Sequence, residues 1–347
     1  MSSDQLIRAT TADDRPSVSA PDALSPAALA DARRSQPRRG LVGLLFVVPV
    51  AVLLAAGAGG PAHSLAVLGP VTTFALPLVA MIAFWWEDWP GSLARGAWAG
   101  VYDTAIVIAG GLVLDVAGQA VSGGHGAVPL AAGIFTIMLQ LTLVCERRPL
   151  AGLGRIPAGV AALVACWVAG AVAFLALVRS GAVTAEDYGA WLTALGVWQM
   201  IWYVALRGWP FARIRRRAMR LVVANVVVLA CGWATYLVAR GVGCPAGRLT
   251  AVAGAGIASV LLVSMLFQAW PAIRFAPLPG RCLALVIVVA LTALLAWTLP
   301  LVAHATGVPA ADVNSWTAHT TLNALSLAVI LHVAVWRRWP SQQPAVG

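Results

Sequence analysis

Residues 282–302 read CLALVIVVALTALLAWTLPLV, twenty-one consecutive residues without a charge. A helix needs about 20 mostly apolar residues to cross the hydrocarbon core of a bilayer, so this stretch predicts a transmembrane helix. Nine other segments meet the same test: about 41–59, 65–86, 98–118, 128–145, 157–178, 189–206, 221–239, 249–269 and 315–336. Their connections are short, and the chain reads as an all-α integral membrane protein of about ten transmembrane helices. Composition agrees, because 60% of the 347 residues are hydrophobic, 10% are charged and mean hydropathy is +0.85, where a soluble domain carries about 25% charged residues. The polar surface required by a disordered chain, a nucleic-acid-binding domain or a disulfide-stapled secreted scaffold is missing.

Residues 1–38 are rich in Ser, Ala, Pro, Asp and Arg, and show neither apolar periodicity nor the apolar core of a signal peptide; they read as a disordered cytoplasmic tail. The membrane domain is expected over 39–340, with a short cytoplasmic tail at 341–347. All 23 basic residues are Arg, giving a net charge of +10. They form no single patch for nucleic acid and recur instead in clusters between the apolar runs. Eighteen of those near the predicted spans lie on the side of the N-terminal tail, and only Arg179, Arg240 and Arg248 lie on the other. Positive residues stay on the cytoplasmic side, so both termini are expected in the cytoplasm and the protein in the plasma (inner) membrane. That places an even number of spans in the chain.

The even-numbered spans end in related peptides: Trp86-Glu87-Asp88-Trp89-Pro90, Cys145-Glu146-Arg147-Arg148-Pro149, Leu206-Arg207-Gly208-Trp209-Pro210, Phe267-Gln268-Ala269-Trp270-Pro271 and Trp336-Arg337-Arg338-Trp339-Pro340. Their prolines are 59, 61, 61 and 69 residues apart. Pro ends a helix, Trp sits at headgroup level and Arg meets phosphate. The pattern predicts five two-helix hairpin repeats in the same orientation, roughly 41–96, 97–156, 157–220, 221–281 and 282–340. Such repeats differ from the inverted halves of many secondary transporters. The polar residue three before each proline (Glu87, Glu146, Arg207, Gln268, Arg337) predicts ion pairing between hairpins at the cytoplasmic rim, or simple exposure to headgroups.

Few side chains within the spans can carry chemistry. Asp103 lies about a turn and a half inside the third span; an intramembrane carboxylate is costly unless paired or functional, which makes it a candidate substrate or cation contact. Asp115 lies nearer the outer end, where the loop can wet it. Gln199 belongs to an aromatic-polar stripe with Trp202 and Tyr203 that lines a cavity or packs on a neighbour. The outer half of the tenth span, Asn314 to Asn323, is the most polar stretch in any span, and His319 and Asn323, four residues apart, share one helical face. A buried polar face must be satisfied by other helices, water or a ligand. His63, His125, His304 and His319 fall near one membrane face beside several acids. That set suits a transition metal, although no paired-histidine spacing supports it.

These residues support, first, a permease-like protein that moves a small molecule or ion, with Asp103, Gln199, His319 and Asn323 as substrate contacts. One alternative is a membrane-embedded enzyme that uses the outer His and acids, with or without a metal, on a lipophilic substrate. The other is a non-catalytic scaffold subunit. The expected partners are the lipid bilayer, a small molecule or lipid, and other membrane proteins or further copies of the chain; nucleic acid is excluded.

Overall fold

The structure is a computed structural model that describes residues 26–87, 89–123 and 127–339. Every regular element among them is helical. A short helix α1 (Pro26–Ser35) is followed by α2 (Arg38–Ala56), α3 (Pro61–Trp85), α4 (Ala97–Ser122), α5 (Ala127–Leu139, extended by a π turn, Gln140–Val144) and α6 (Arg155–Arg179). The chain continues through α7 (Ala185–Met200, extended by a π turn, Ile201–Ala205), α8 (Arg217–Gly241), α9 (Ala246–Leu266), α10 (Pro277–Ala305) and α11 (Ala310–Val335). Among the described residues, eight of these helices are long and apolar enough to cross a membrane. The predicted segments at 128–145 and 189–206 are helices outside that group. The apolar part of α5 is shorter, and the hydropathy of α7 is lowered by Trp191, Trp198, Gln199, Trp202 and Tyr203.

Two expectations need correction. The tail predicted over 1–38 contains α1, whose sequence PAALADARRS combines good helix formers with an N-terminal Pro. It is tied down where Arg33 Nε donates to Ile273 O at 3.0 Å and Gln36 Nε2 donates to Leu266 O at 3.3 Å. The third span runs to Ser122 instead of ending near 118, so Asp115 lies two turns inside the helix, where it accepts a bond from Gln119. Residues 1–25 and Pro340 lie outside the described residues.

The helices form two concentric layers. Helices α3, α5, α7, α9 and α11 contact one another in cyclic order, α11 returning to α3, and so close a ring. Outside them, α2 packs on α3 and α11, α4 on α3 and α5, α6 on α5, α8 on α7, and α10 on α9 and α11. Burial follows the layers: 78% of the most apolar window of α9 is buried, against 17% for α8 and 11% for α10. Small residues allow the layers to approach closely. A Cβ on Gly170 of α6 would stand 2.6 Å from Ile134 Cγ1, and one on Gly232 of α8 would stand 2.9 Å from Leu195 Cα.

All five inner helices run in the same direction, so their C-terminal carbonyls gather at the Arg-rich end. Each finishes in a π turn with an i→i−5 bond: Trp86 N to Met81 O, Cys145 N to Gln140 O, Leu206 N to Ile201 O, Phe267 N to Leu262 O and Trp336 N to Leu331 O, all between 2.7 and 3.0 Å. The next residue is left-handed in every case, with φ of 49° at Glu87, 52° at Glu146, 53° at Arg207, 52° at Gln268 and 47° at Arg337. Left-handed residues end helices by turning the chain away from the last carbonyls. Some of the carbonyls left over are met by arginines from the adjacent inner helix. Arg147 donates to Phe84 O, and Arg338 donates to Met265 O and Leu266 O. Burial, with Arg39 nearby, lowers the pKa of Arg338 to about 10, so it is still a cation at neutral pH.

Glu87 and Glu146 at this end pair with arginines of the outer helices. Glu146 holds Arg217 at 2.9 Å and Arg220 at 2.8 Å on α8, its own side chain only 9% exposed. Glu87 meets Arg155 of α6 at 3.7 Å, with both groups largely in the open. Removing one partner of a shielded pair leaves its counter-charges stranded, whereas an exposed pair contributes little. Glu146→Gln is therefore expected to destabilise the detergent-solubilised protein by about 2 kcal/mol. Glu87→Gln should change it by less than about 0.5 kcal/mol, the two being compared by thermal or denaturant unfolding.

Candidate functional site

The ring encloses a cavity of about 510 Å³ in its half away from the Arg-rich end, walled by the N-terminal halves of all five inner helices. Glu186, Asp312 and Ser315 are exposed at its rim, while His319 and Asn323 are buried in its wall. Toward the Arg-rich end the axis is filled by apolar side chains, among them Leu76, Phe135, Leu139, Met200, Leu261 and Ile330, around a void of only about 20 Å³. The space inside the ring is thus a cup with an apolar floor.

The polar wall is built on α11, and α11 is unlike the other inner helices. Their π turns lie only at the C-terminal ends; α11 also has a seven-residue π segment in mid-helix, His319–Leu325, which carries both polar site residues. Mid-helix π segments widen the helix locally and recur at functional sites. Ser326 Oγ supports this one by donating to Thr321 O at 2.9 Å.

His319 Nε2 lies 3.2 Å from Leu54 O, and Trp316 Nε1 donates to Ala55 O at 3.0 Å. Both acceptors lie in the last turn of α2, whose carbonyls have no partner within their own helix. A neutral imidazole that donates through Nε2 accepts at Nδ1, and Asn323 Nδ2 lies there at 3.4 Å while also donating to Thr73 Oγ1 at 2.7 Å. This network fixes the orientation of the Asn323 amide. Its Oδ1 is buried without a hydrogen-bond partner in the cavity wall. An orphaned acceptor of this kind costs about 1–3 kcal/mol unless something fills it.

The other predicted site residues lie elsewhere. Asp103 does not line the cavity. It is buried in α4 and accepts from Gly91 N at 2.7 Å, which fastens the loop after α3 to the start of α4. Gln199 also points away from the cup, donating to Thr136 O at 3.1 Å and to Gln140 Oε1 at 2.7 Å; Gln140 Nε2 in turn reaches Asn225 Oδ1 at 2.7 Å on α8. It joins α7, α5 and α8 through amides. His63 and His304 are exposed at the ends of α3 and α10, and His125 lies outside the described residues. Among the described residues no three His, Cys, Asp or Glu side chains come together as a metal site.

Sequence reasoning missed Thr73, Thr193 and Thr250, which line the cup from α3, α7 and α9. Each is a single hydroxyl in an apolar helix, the same signal that a helix-stabilising Thr gives. Comparison with protein-family models, with curated proteins and with solved structures finds no match. The reading of this site rests on its own chemistry.

His319→Leu leaves the Leu54 carbonyl and the Asn323 amide short of a partner, and should lower stability by about 1–3 kcal/mol. His319→Gln, which keeps a donor for Leu54 O, should recover at least half of that loss in the same unfolding measurement.

Proposed function

We propose that this chain is a permease-like protein of the plasma (inner) membrane that moves a small molecule or ion through its ring of inner helices. Its ten spans form five hairpins of the same orientation, with both termini in the cytoplasm. The excess of Arg at one end supports that orientation. The hairpin reading is supported by the π turn and left-handed residue that close all five inner helices. On this reading the cup opens to the extracytoplasmic side.

One observation carries the proposal: a cavity of about 510 Å³ open at one end of a closed ring, with a buried polar face at half depth and an apolar plug below it. A scaffold needs no such void, and an enzyme of the metal type would need ligands gathered at it. Passage requires the plug to part. Met200 in the plug is unbranched and adaptable, and the π segment of α11 supplies a place where that helix can change its winding without losing its neighbours. His319 and Asn323 are the solute contacts in this reading, whereas Asp103 and Gln199 hold the hairpins together.

Thiol labelling from each side tests this. Ala132→Cys, in the cup wall, should react with a membrane-impermeant thiol reagent from the extracytoplasmic face only. Ala80→Cys, in the plug, should be protected from that face and react from the cytoplasmic face of energised inside-out vesicles. A plug position unreactive from both sides in every condition would mean a static pore floor, and would favour the scaffold.

A further inference from the structure

Among the described residues, the polar groups deep in the cup are acceptors whose neighbouring donors are already engaged. Thr73 Oγ1 donates to Gly69 O at 2.7 Å, Thr193 Oγ1 to Gly189 O at 2.7 Å and Thr250 Oγ1 to Ala246 O at 3.1 Å. Each hydroxyl has one proton and spends it on its own helix, so what it turns to the cavity is a lone pair. His319 has both ring nitrogens engaged, and the two protons of Asn323 Nδ2 face Thr73 and His319. The acceptor left without a partner in this wall is Asn323 Oδ1, buried with its residue. Among the described residues no Arg lines the cup, whereas Glu186 and Asp312 stand at its rim.

The N-termini of the inner helices at the mouth add partial positive charge. Glu186 lies in the first turn of α7 and Asp312 directly before the regular helix of α11, where carboxylates offset that charge. Among the described residues, the Asn314 amide and the Ser315 hydroxyl line the mouth, and deeper in the cup no side-chain N–H or guanidinium is left for an anion, which would lose its hydration without compensation. Leu65, Leu76, Phe135 and Leu322 make the remaining wall apolar.

We propose that the solute is an amphipathic ammonium: a primary or secondary amine, protonated, on an apolar body small enough for the cup. Its N–H groups donate to Asn323 Oδ1 and to the lone pairs of Thr193 and Thr250, its charge is drawn in by Glu186 and Asp312, and its apolar body lies against Leu76 and Phe135. This rests on the reading of the cup as a solute site and adds the class of solute.

The test uses the full chain in nanodiscs with Ala132→Cys, treated with 2-aminoethyl methanethiosulfonate (an ammonium) or 2-sulfonatoethyl methanethiosulfonate (an anion). Their rates are divided by the rates with free 2-mercaptoethanol, and the native cysteines, none of which lines the cup, are subtracted with the unsubstituted protein. The corrected ammonium-to-sulfonate ratio is expected to be at least about tenfold, a difference that the loss of one charge-assisted hydrogen bond can make. 2-Phenylethylammonium should protect the introduced thiol and 3-phenylpropionate should not. Asn323→Leu should remove most of that protection; Thr193→Val, a milder change of nearly equal volume, should weaken it if the first variant does not fold. Equal corrected rates, or protection by the carboxylate, would overturn the ammonium class while leaving a solute-accessible cup. Failure of both reagents to react would remove the solute site itself and the inference with it. Ammonium protection unchanged in the folded variants would place the amine at the rim acids and overturn the proposed contacts.

Discussion

Five helices packed in a ring and running the same way bring five sets of unpaired C-terminal carbonyls to one place. Within reach of lipid these groups cannot be left to water, and the helix dipoles add to the same negative end. Much of the Arg-rich end answers this constraint. The π turns and left-handed residues direct the chain off the carbonyls, Arg147 and Arg338 donate to those of a neighbouring helix, and Glu146 with Arg217 and Arg220 fixes an outer helix to the same rim. Arg cations at these C-termini also offset the summed dipoles, so the charge asymmetry that orients a membrane protein serves its packing as well.

At the opposite end the same parallel arrangement spreads five N-terminal halves apart and leaves the cup. Polar groups there are few, and nearly all are consumed in holding helices. His319 and Trp316 close the end of α2, threonine hydroxyls return to their own backbones, and the Asn323 amide joins α11 to α3. What is left over defines the chemistry of the cavity: one buried carbonyl oxygen, several lone pairs and two rim carboxylates. The mid-helix π segment of α11 gives this wall a backbone that differs from the other four.

Asp103 shows how the rule for intramembrane acids can be met by a backbone group outside the cavity. The rule says that such a carboxylate must be satisfied inside the protein, and it is, by the Gly91 N–H of the loop after α3. A backbone donor carries no sequence signature. Gln199 is a similar case, because its amide partner Gln140 is 59 residues away along the chain, and Gln140 in turn reaches Asn225 of the outer helix α8; only the packing of the helices brings the three together. His319 and Asn323 were legible as a pair, since their four-residue spacing is local to one helix.

The apolar runs, their lengths, the Arg asymmetry and the recurring Trp-Pro ends were set by the sequence alone, because each depends on hydrophobicity, charge or a local backbone constraint. Which helices form the inner ring was not. Helices α8 and α9 have the same mean hydropathy, yet one faces outward and the other lines the core. Lipid tails and a protein interior are equally apolar, so no hydrophobic pattern separates them. Tertiary structure decided that assignment, and with it the cup and the orphaned Asn323 oxygen, because both depend on side chains and backbone groups of different helices meeting in the ring, and it decided the Gly91 bond of Asp103, because a backbone donor leaves no mark in the sequence.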